Sequence, residues 1–234
     1  MNKHERTDIL YPEGFREKIS KARIAVVGLG AVGSYTVEIL ARFGVENLIL
    51  IDFDKVEASN INRQLYALES TIGLNKCDIA KGRVLDINSS AKITCVNAFV
   101  DKDNLAELFL DKVDLIVDAI DTLSSKCDIA EFALNNDIKF VASMGAARRT
   151  DLSKIKTASI FKTTNCPLAS KMRKQLKKRD LKGKTFQCVF SDEQASESSH
   201  LMSASAGQRK VIGSSPSVTA AFGIHLANLA ISSL

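Results

Sequence analysis

The first 145 residues alternate short apolar runs with longer stretches of helical periodicity. Runs such as IAVV, LILI and LIVDAI mark strands at 23–27, 47–51, 92–96, 114–119 and 139–143, and near-continuous apolarity is what a strand covered on both sheet faces requires. Between them, 31–43, 76–88, 104–110 and 124–135 repeat apolar residues at helical spacing, and Gly44 stands where a C-cap glycine ends the first of these helices. Strict strand–helix alternation predicts an α/β fold, a Rossmann-like doubly wound and mostly parallel sheet.

After Gly145 the rhythm changes to a strand at 154–160, a helix opening at Pro167 with Leu168, Met172 and Leu176 every fourth residue, and a strand at 186–190. Serine-rich residues 191–205 carry few bulky apolar groups and read as a long loop or lid. From Val211 to Leu234 there is no charged residue. Ser214, Ser215, Pro216, Ser217, His225 and Asn228 interrupt that run, so it reads as a buried terminal helix with no stable membrane insertion. The expected division is a nucleotide-binding unit, 1–145, and a substrate-binding extension, 146–234, of mixed strands and helices packed on the same domain.

Composition narrows the class. With 45% hydrophobic and 25% charged residues, 234 residues can build a globular core. Five cysteines, at 77, 95, 127, 166 and 188, form no CxxC pair, which points to a reduced compartment and away from a zinc site. The opening segment MNKHERTDILYPEG has no apolar core of a signal peptide, and a cytoplasmic location is expected. A net charge of +5 is too mild to imply nucleic acid by itself.

The chemistry starts at Gly28-Leu29-Gly30-Ala31-Val32-Gly33, between a strand and a helix, where backbone N–H groups and the helix dipole receive phosphate. Asp52, past the next strand, is placed to accept ribose hydroxyls, and to that point a nicotinamide dehydrogenase fits equally well. Further on stand Asp54, then Ser59-Asn60-Ile61-Asn62-Arg63-Gln64, Lys76, and Asp118 with Asp121. Hydride transfer has no use for these groups, whereas cleavage of ATP needs cations on the triphosphate and a carboxylate for Mg2+. Local capping and salt bridging are the plain alternative for Asn60 and Arg63.

These motifs, in this order over about residues 20–145, resemble the ubiquitin-activating-like adenylating enzymes. The resemblance implies that Gly28, Gly30 and Gly33 cradle phosphate, and that Asp52 of the Asp52/Asp54 pair binds ribose. It gives Asn60, Arg63 and Lys76 to the phosphates and Asp121 to Mg2+. Arg6, in His4-Glu5-Arg6-Thr7, matches an N-terminal arginine that reaches the ATP of the other subunit of a homodimer.

In the second half, Cys166-Pro167-Leu168-Ala169-Ser170-Lys171-Met172-Arg173 and Cys188-Val189-Phe190-Ser191-Asp192-Glu193 resemble segments of the tRNA threonylcarbamoyladenosine dehydratases, although Cys166 stands where an acidic residue is common. That likeness implies ATP-dependent cyclisation of the modified adenosine in a tRNA anticodon loop through a carboxyl-adenylate, with a possible sulfurtransferase or sulfur-acceptor helper. The alternative is an adenylyltransferase for a ubiquitin-like sulfur-carrier protein. Because the substrate supplies the nucleophile, Cys188 reads as strand packing rather than a thioester former. The run 171–184 holds eight Lys or Arg with Asp180 as its single acid; Lys171, Lys174, Lys178 and Arg179 are expected on the outward arc of the helix, as tRNA footprint or solvated face.

Overall fold

The computed structural model describes residues 3–110, 112–179, 181, 183–196 and 212–234. Most of the serine-rich stretch, together with Asp180 and Lys182 of the basic run, lies outside the described residues. Seven strands, β1 (Arg23–Val27), β2 (Asn47–Ile51), β3 (Lys92–Val96), β4 (Leu115–Asp118), β5 (Lys139–Ser143), β6 (Ile155–Ser159) and β7 (Gln187–Ser191), form one sheet in the order β3-β2-β1-β4-β5-β7-β6. All pairs are parallel except β6 with β7. The doubly wound expectation is met, and residues 155–191 extend the same sheet.

Helices α1 (Glu5–Leu10) and α2 (Phe15–Lys21) precede the sheet. They are followed by α3 (Gly33–Phe43), α4 (Lys76–Ile87), α5 (Leu105–Phe109), α6 (Leu123–Asn135), α7 (Pro167–Leu176) and α8 (Pro216–Ser233). Alternation along each strand splits the core in two. Ile24, Val26, Leu48, Leu50 and Val117 face α3, α4 and α8, while Ala25, Val27, Ile116 and Ala142 face α5, α6 and α7. The strand order reverses between β1 and β4, which opens a crevice at their C-terminal ends.

Three details depart from the sequence reading. The helix expected from residue 31 starts at Gly33, since Gly30 to Val32 form the turn; the strand expected at 186–190 is shifted by one residue; and α1 and α2 had no periodic signature, being 6 and 7 residues long.

The uncharged C-terminal stretch is a helix buried against α3. Val218, Phe222, Leu226 and Ala230 make one ridge, Thr219, Gly223, Ala227 and Ile231 the next. Gly223 is obligatory there: a Cβ would lie 2.5 Å from the Val32 carbonyl oxygen and 2.6 Å from Tyr35 Cβ, while Thr36 Oγ1 donates to the Gly223 carbonyl at 3.1 Å. Among the described residues no helix is long and apolar enough to cross a membrane.

Candidate active site

The three glycines of the first turn do different work. Gly28 has φ +89°, and a Cβ on it would meet Ile120 Cγ2 at 2.9 Å, so it sets the turn against the end of β4. A Cβ on Gly33 would sit 1.8 Å from the Gly28 carbonyl oxygen, so only glycine lets α3 begin that close to β1. At Gly30 the nearest atom, Gln64 Nε2, is an ordinary 3.7 Å away, and the missing side chain leaves room rather than relieving a clash. The N–H groups of Ala31, Val32 and Gly33 find no acceptor among the described residues, as a phosphate cradle at a helix N-terminus requires.

Asp52, 8% exposed at the end of β2, ties this turn to the next loop: Leu29 N–H donates to its Oδ2 at 2.6 Å and Asp54 N–H to its Oδ1 at 2.8 Å. Burial pushes its carboxyl above the ordinary range, opposed by Lys76 and by those two donors. Each oxygen keeps a second lone pair for a ribose hydroxyl. Lys76 is buried at the first position of α4, where a cation opposes the helix dipole, and its Nζ is held by Asp54 Oδ2 at 2.8 Å. The intervening loop closes on itself through Val56 N–H to Leu74 O and Lys76 N–H to Asp54 O.

Inside that loop Asn60 is buried, accepting from Glu57 N–H at 3.3 Å and donating to Ser59 Oγ at 3.2 Å. Arg63 Nη1 donates to Ser59 O and Asn62 Oδ1, both at 2.8 Å, and its remaining donors have no partner among the described residues. Local capping is therefore present at both positions, alongside unused guanidinium donors.

The Asp118/Asp121 pair separates into two roles. Asp118 is fully buried and receives Lys126 Nζ at 2.8 Å; the same Nζ donates to Ser143 O at 2.8 Å and Ile120 O at 3.1 Å. Burial lifts the Asp118 carboxyl above its ordinary range against the pull of Lys126. Lys126 thus pins the ends of β4 and β5, and Asp121 stands exposed on the turn that follows. Sequence reading passed over Lys126, although it falls on the apolar spacing of Lys126, Ile129, Ala130 and Ala133 in α6.

Arg6 is not brought to this cluster. His4 lies against Gly44, a Cβ there coming within 3.1 Å of His4 Cε1, and Lys3 Nζ donates to Asn88 Oδ1 at 2.8 Å. Gly44 and Asn88 end α3 and α4, so α1 sits at the opposite edge of the sheet, about 16 Å along an 11-residue helix from the glycine turn. Helix α1 buries none of its residues, and Ile9 and Leu10 are 80% and 77% exposed.

On α7, Ala169, Met172 and Leu176 point inward, Leu168 is half-buried, and Lys171 and Lys174 are exposed, as are Lys177 and Lys178 just past its end. Arg179 corrects the expected outward arc: it is paired with Asp128 at 2.7 Å and Glu131 at 2.6 Å on α6, because α7 lies alongside that helix. Cys188 is buried in β7, donates to Ala158 O at 3.4 Å, and has its thiol pushed up to about 12 by desolvation, which suits packing. Among the described residues no three His, Cys, Asp or Glu side chains gather to hold a metal ion.

The sequence pattern of the ThiF family matches residues 4–234. The tRNA threonylcarbamoyladenosine dehydratase of Bacillus subtilis (strain 168) is 39% identical over 177 residues, covering 76% of this chain and 69% of that protein. The tRNA N6-threonylcarbamoyladenosine dehydratase of Escherichia coli, solved in complex with ATP, superimposes with a TM-score of 0.89 at 33% identity, covering 98% of this chain and 92% of that one. The same enzyme solved with AMP gives a TM-score of 0.88 at 34% identity, covering 97% and 92%.

Proposed function

This chain belongs to the ThiF family, and from that premise we propose that it uses ATP to dehydrate threonylcarbamoyladenosine in a tRNA anticodon loop. The observation that supports the reading is that the unpaired N–H groups of 31–33, Arg63, Lys76 and Asp121 all lie on the loops and helix starts that follow β1, β2 and β4, at the same end of the sheet. It is supported by the ATP and AMP complexes of a relative that superimposes over nearly the whole chain.

In this reading Asp52 orients the ribose, and the N–H groups of Ala31 to Gly33 receive phosphate at the start of α3. Lys76, already aligned by Asp54, and Arg63 with its spare donors draw charge off the α-phosphate and the leaving pyrophosphate. The threonylcarbamoyl carboxylate bonds to the α-phosphorus and pyrophosphate leaves. A neighbouring heteroatom of the same modification then attacks the activated carbonyl, gives up its proton, and expels AMP with a carboxylate oxygen, so the nucleoside loses one water. No enzyme thiol is consumed, and a sulfurtransferase or sulfur-acceptor helper would find all five cysteines buried or half-buried.

Asp121 fits a magnesium ion shared with the phosphates, since Mg2+ takes one or two carboxylates and otherwise substrate oxygens and water. When bound, Mg2+ would neutralise charge on the triphosphate; Asp121 would supply the protein's ligand. Because α1 lies at the far edge of its own sheet, Arg6 is assigned to the partner's site in a homodimer, with Ile9 and Leu10 covered by the second copy. Residues 146–234 would supply the substrate face, in a cytoplasmic enzyme.

The test is to incubate the protein with ATP and tRNA carrying the threonylcarbamoyl group. AMP and pyrophosphate should appear, and the nucleoside should lose the mass of one water; release of ADP, or an unchanged nucleoside, would reject the reaction. Mixing Arg6→Ala with Asp121→Ala, each nearly inactive alone, should restore part of the turnover as subunits exchange. No recovery despite demonstrated exchange would place Arg6 in cis or outside the site.

A further inference from the structure

An open cleft of about 470 Å³ lies beyond the C-terminal ends of β5 and β7, on the same sheet edge as the glycine turn. Arg148, Asn165, Cys166, Ser170, Arg173 and Gln194 line it, and among the described residues no carboxylate does. Arg148 Nε donates to Ser196 O at 2.7 Å, and Arg173 donates to Thr163 Oγ1. The other donors of both guanidinium groups have no acceptor among the described residues. Behind the wall Arg149, only 2% exposed, donates to the Asn165 carbonyl at 2.7 Å and the Arg148 carbonyl at 3.4 Å, and its buried Nε has no partner among the described residues. The nearby carboxylate of Glu193 turns instead to the N–H groups of Thr150 and Asp151.

The cleft also receives the N-terminus of α7, capped by the Cys166 thiol, which accepts from Ala169 N–H at 3.5 Å, where a carboxylate would have brought negative charge. Arg149 has the Glu193 carboxylate within electrostatic reach, whereas Arg148 and Arg173 are half-buried and keep guanidinium donors that an anion entering the cleft can accept from. Its place relative to the ATP loop is fixed by two consecutive residues: Arg148 N–H donates to Gly213 O at 3.0 Å, and Asn62 Nδ2 to Ser214 O at 3.5 Å. Across the sheet, β5 and β7 stand about 10 Å and about 14 Å from β1.

The geometry points to a phosphate subsite: the cleft takes a backbone phosphodiester of the RNA strand beside the modified adenosine, gripped by Arg148 and Arg173. The inference rests on the proposed function, whose reacting carboxylate must lie at the glycine turn while the rest of its nucleotide extends along the sheet edge. Forked guanidinium donors suit phosphate, and such contacts fix register without reading sequence.

The experiment compares the full-length protein with Arg148→Gln and Arg173→Gln. The measurements are affinity for threonylcarbamoylated tRNA across salt concentrations, affinity for ATP, and turnover of the free threonylcarbamoyladenosine nucleoside, which has no phosphate. Each change should weaken tRNA about tenfold and lower the log–log salt slope by about one, with ATP affinity and nucleoside turnover unchanged. Lysine at either position should recover part of the loss. Unaltered tRNA affinity and slope would overturn the subsite, and so would an equal loss on the free nucleoside, which would put the arginines at the acylation step. Loss of pyrophosphate inhibition with tRNA affinity retained would assign the cleft to free pyrophosphate and also overturn it. If the unchanged protein releases no AMP with tRNA, the function falls, while the subsite stands if both arginines still set tRNA affinity.

Discussion

Both the glycine-turn edge and the outer face of α7 are rich in cations, but they hold them differently. At the edge each buried charge is tied down: Lys76 by Asp54, Asp52 by two N–H groups, Asp118 by Lys126. On α7 and just past its end, Lys171, Lys174, Lys177 and Lys178 stand in solvent. A fixed charge costs no reorganisation when a transition state forms, whereas a mobile one attracts a polyanion from any direction and specifies little. On the proposed function, the first arrangement serves the chemistry and the second the capture of tRNA.

The largest way to break the contrast is Lys126→Met, which strands Asp118 in the core. Stability should fall by about 3–5 kcal/mol, measured by urea unfolding. A carboxyl whose folded pKa is raised loses stability as pH climbs through and above its ordinary range, and removing Lys126 raises it further. The deficit should therefore be smallest in acid, where Asp118 is protonated in both states, and grow toward neutrality. A deficit that does not change with pH would show that packing, not charge, is what Lys126 supplies.

Next is Lys76→Ala, which should cut AMP formation by about a hundredfold or more, equivalent to about 2.7 kcal/mol, in a protein that still unfolds cooperatively. Full activity would remove Lys76 from the phosphates. The smallest effect on the fold, and the sharpest test of the other side, is Lys174→Glu with Lys178→Glu. The melting temperature should barely move, while the salt dependence of tRNA binding flattens by about one unit per lost contact. If tRNA binding is also unmoved, α7 is a solvated face and capture lies elsewhere.

How much of this was legible before the structure depended on how local each signal is. Strands β1, β2 and β5 lie where their apolar runs placed them, because burial leaves a dense imprint, and β3 also lies at the expected 92–96 although it is an edge strand with no fully buried residue. Gly28 and Gly33 could be read as a turn, but only the structure separates the two that avoid clashes from Gly30, which leaves space. Arg179 was misplaced because its partners, Asp128 and Glu131, are about fifty positions away and only the packing of α7 on α6 joins them. Arg149 was missed for the same reason, its partner Asn165 lying across a loop. The separation of Arg6 from its own glycine turn is likewise a property of the sheet's two edges and has no counterpart in linear spacing.

The close seat of Gly223 on the first turn of α3 sets a timetable for synthesis. Thr36 donates to a carbonyl 187 positions downstream, so the cradle encoded around residues 28–33 is braced by a helix that emerges long after it. At about 5–20 residues per second the ribosome would hold, for many seconds, a chain whose nucleotide turn is written but unsupported and whose α3 lacks its apolar cover. A message cut short before codon 216 would yield a polypeptide that holds every residue proposed above to bind phosphate but lacks the helix that braces the turn, a natural client for chaperones and proteases.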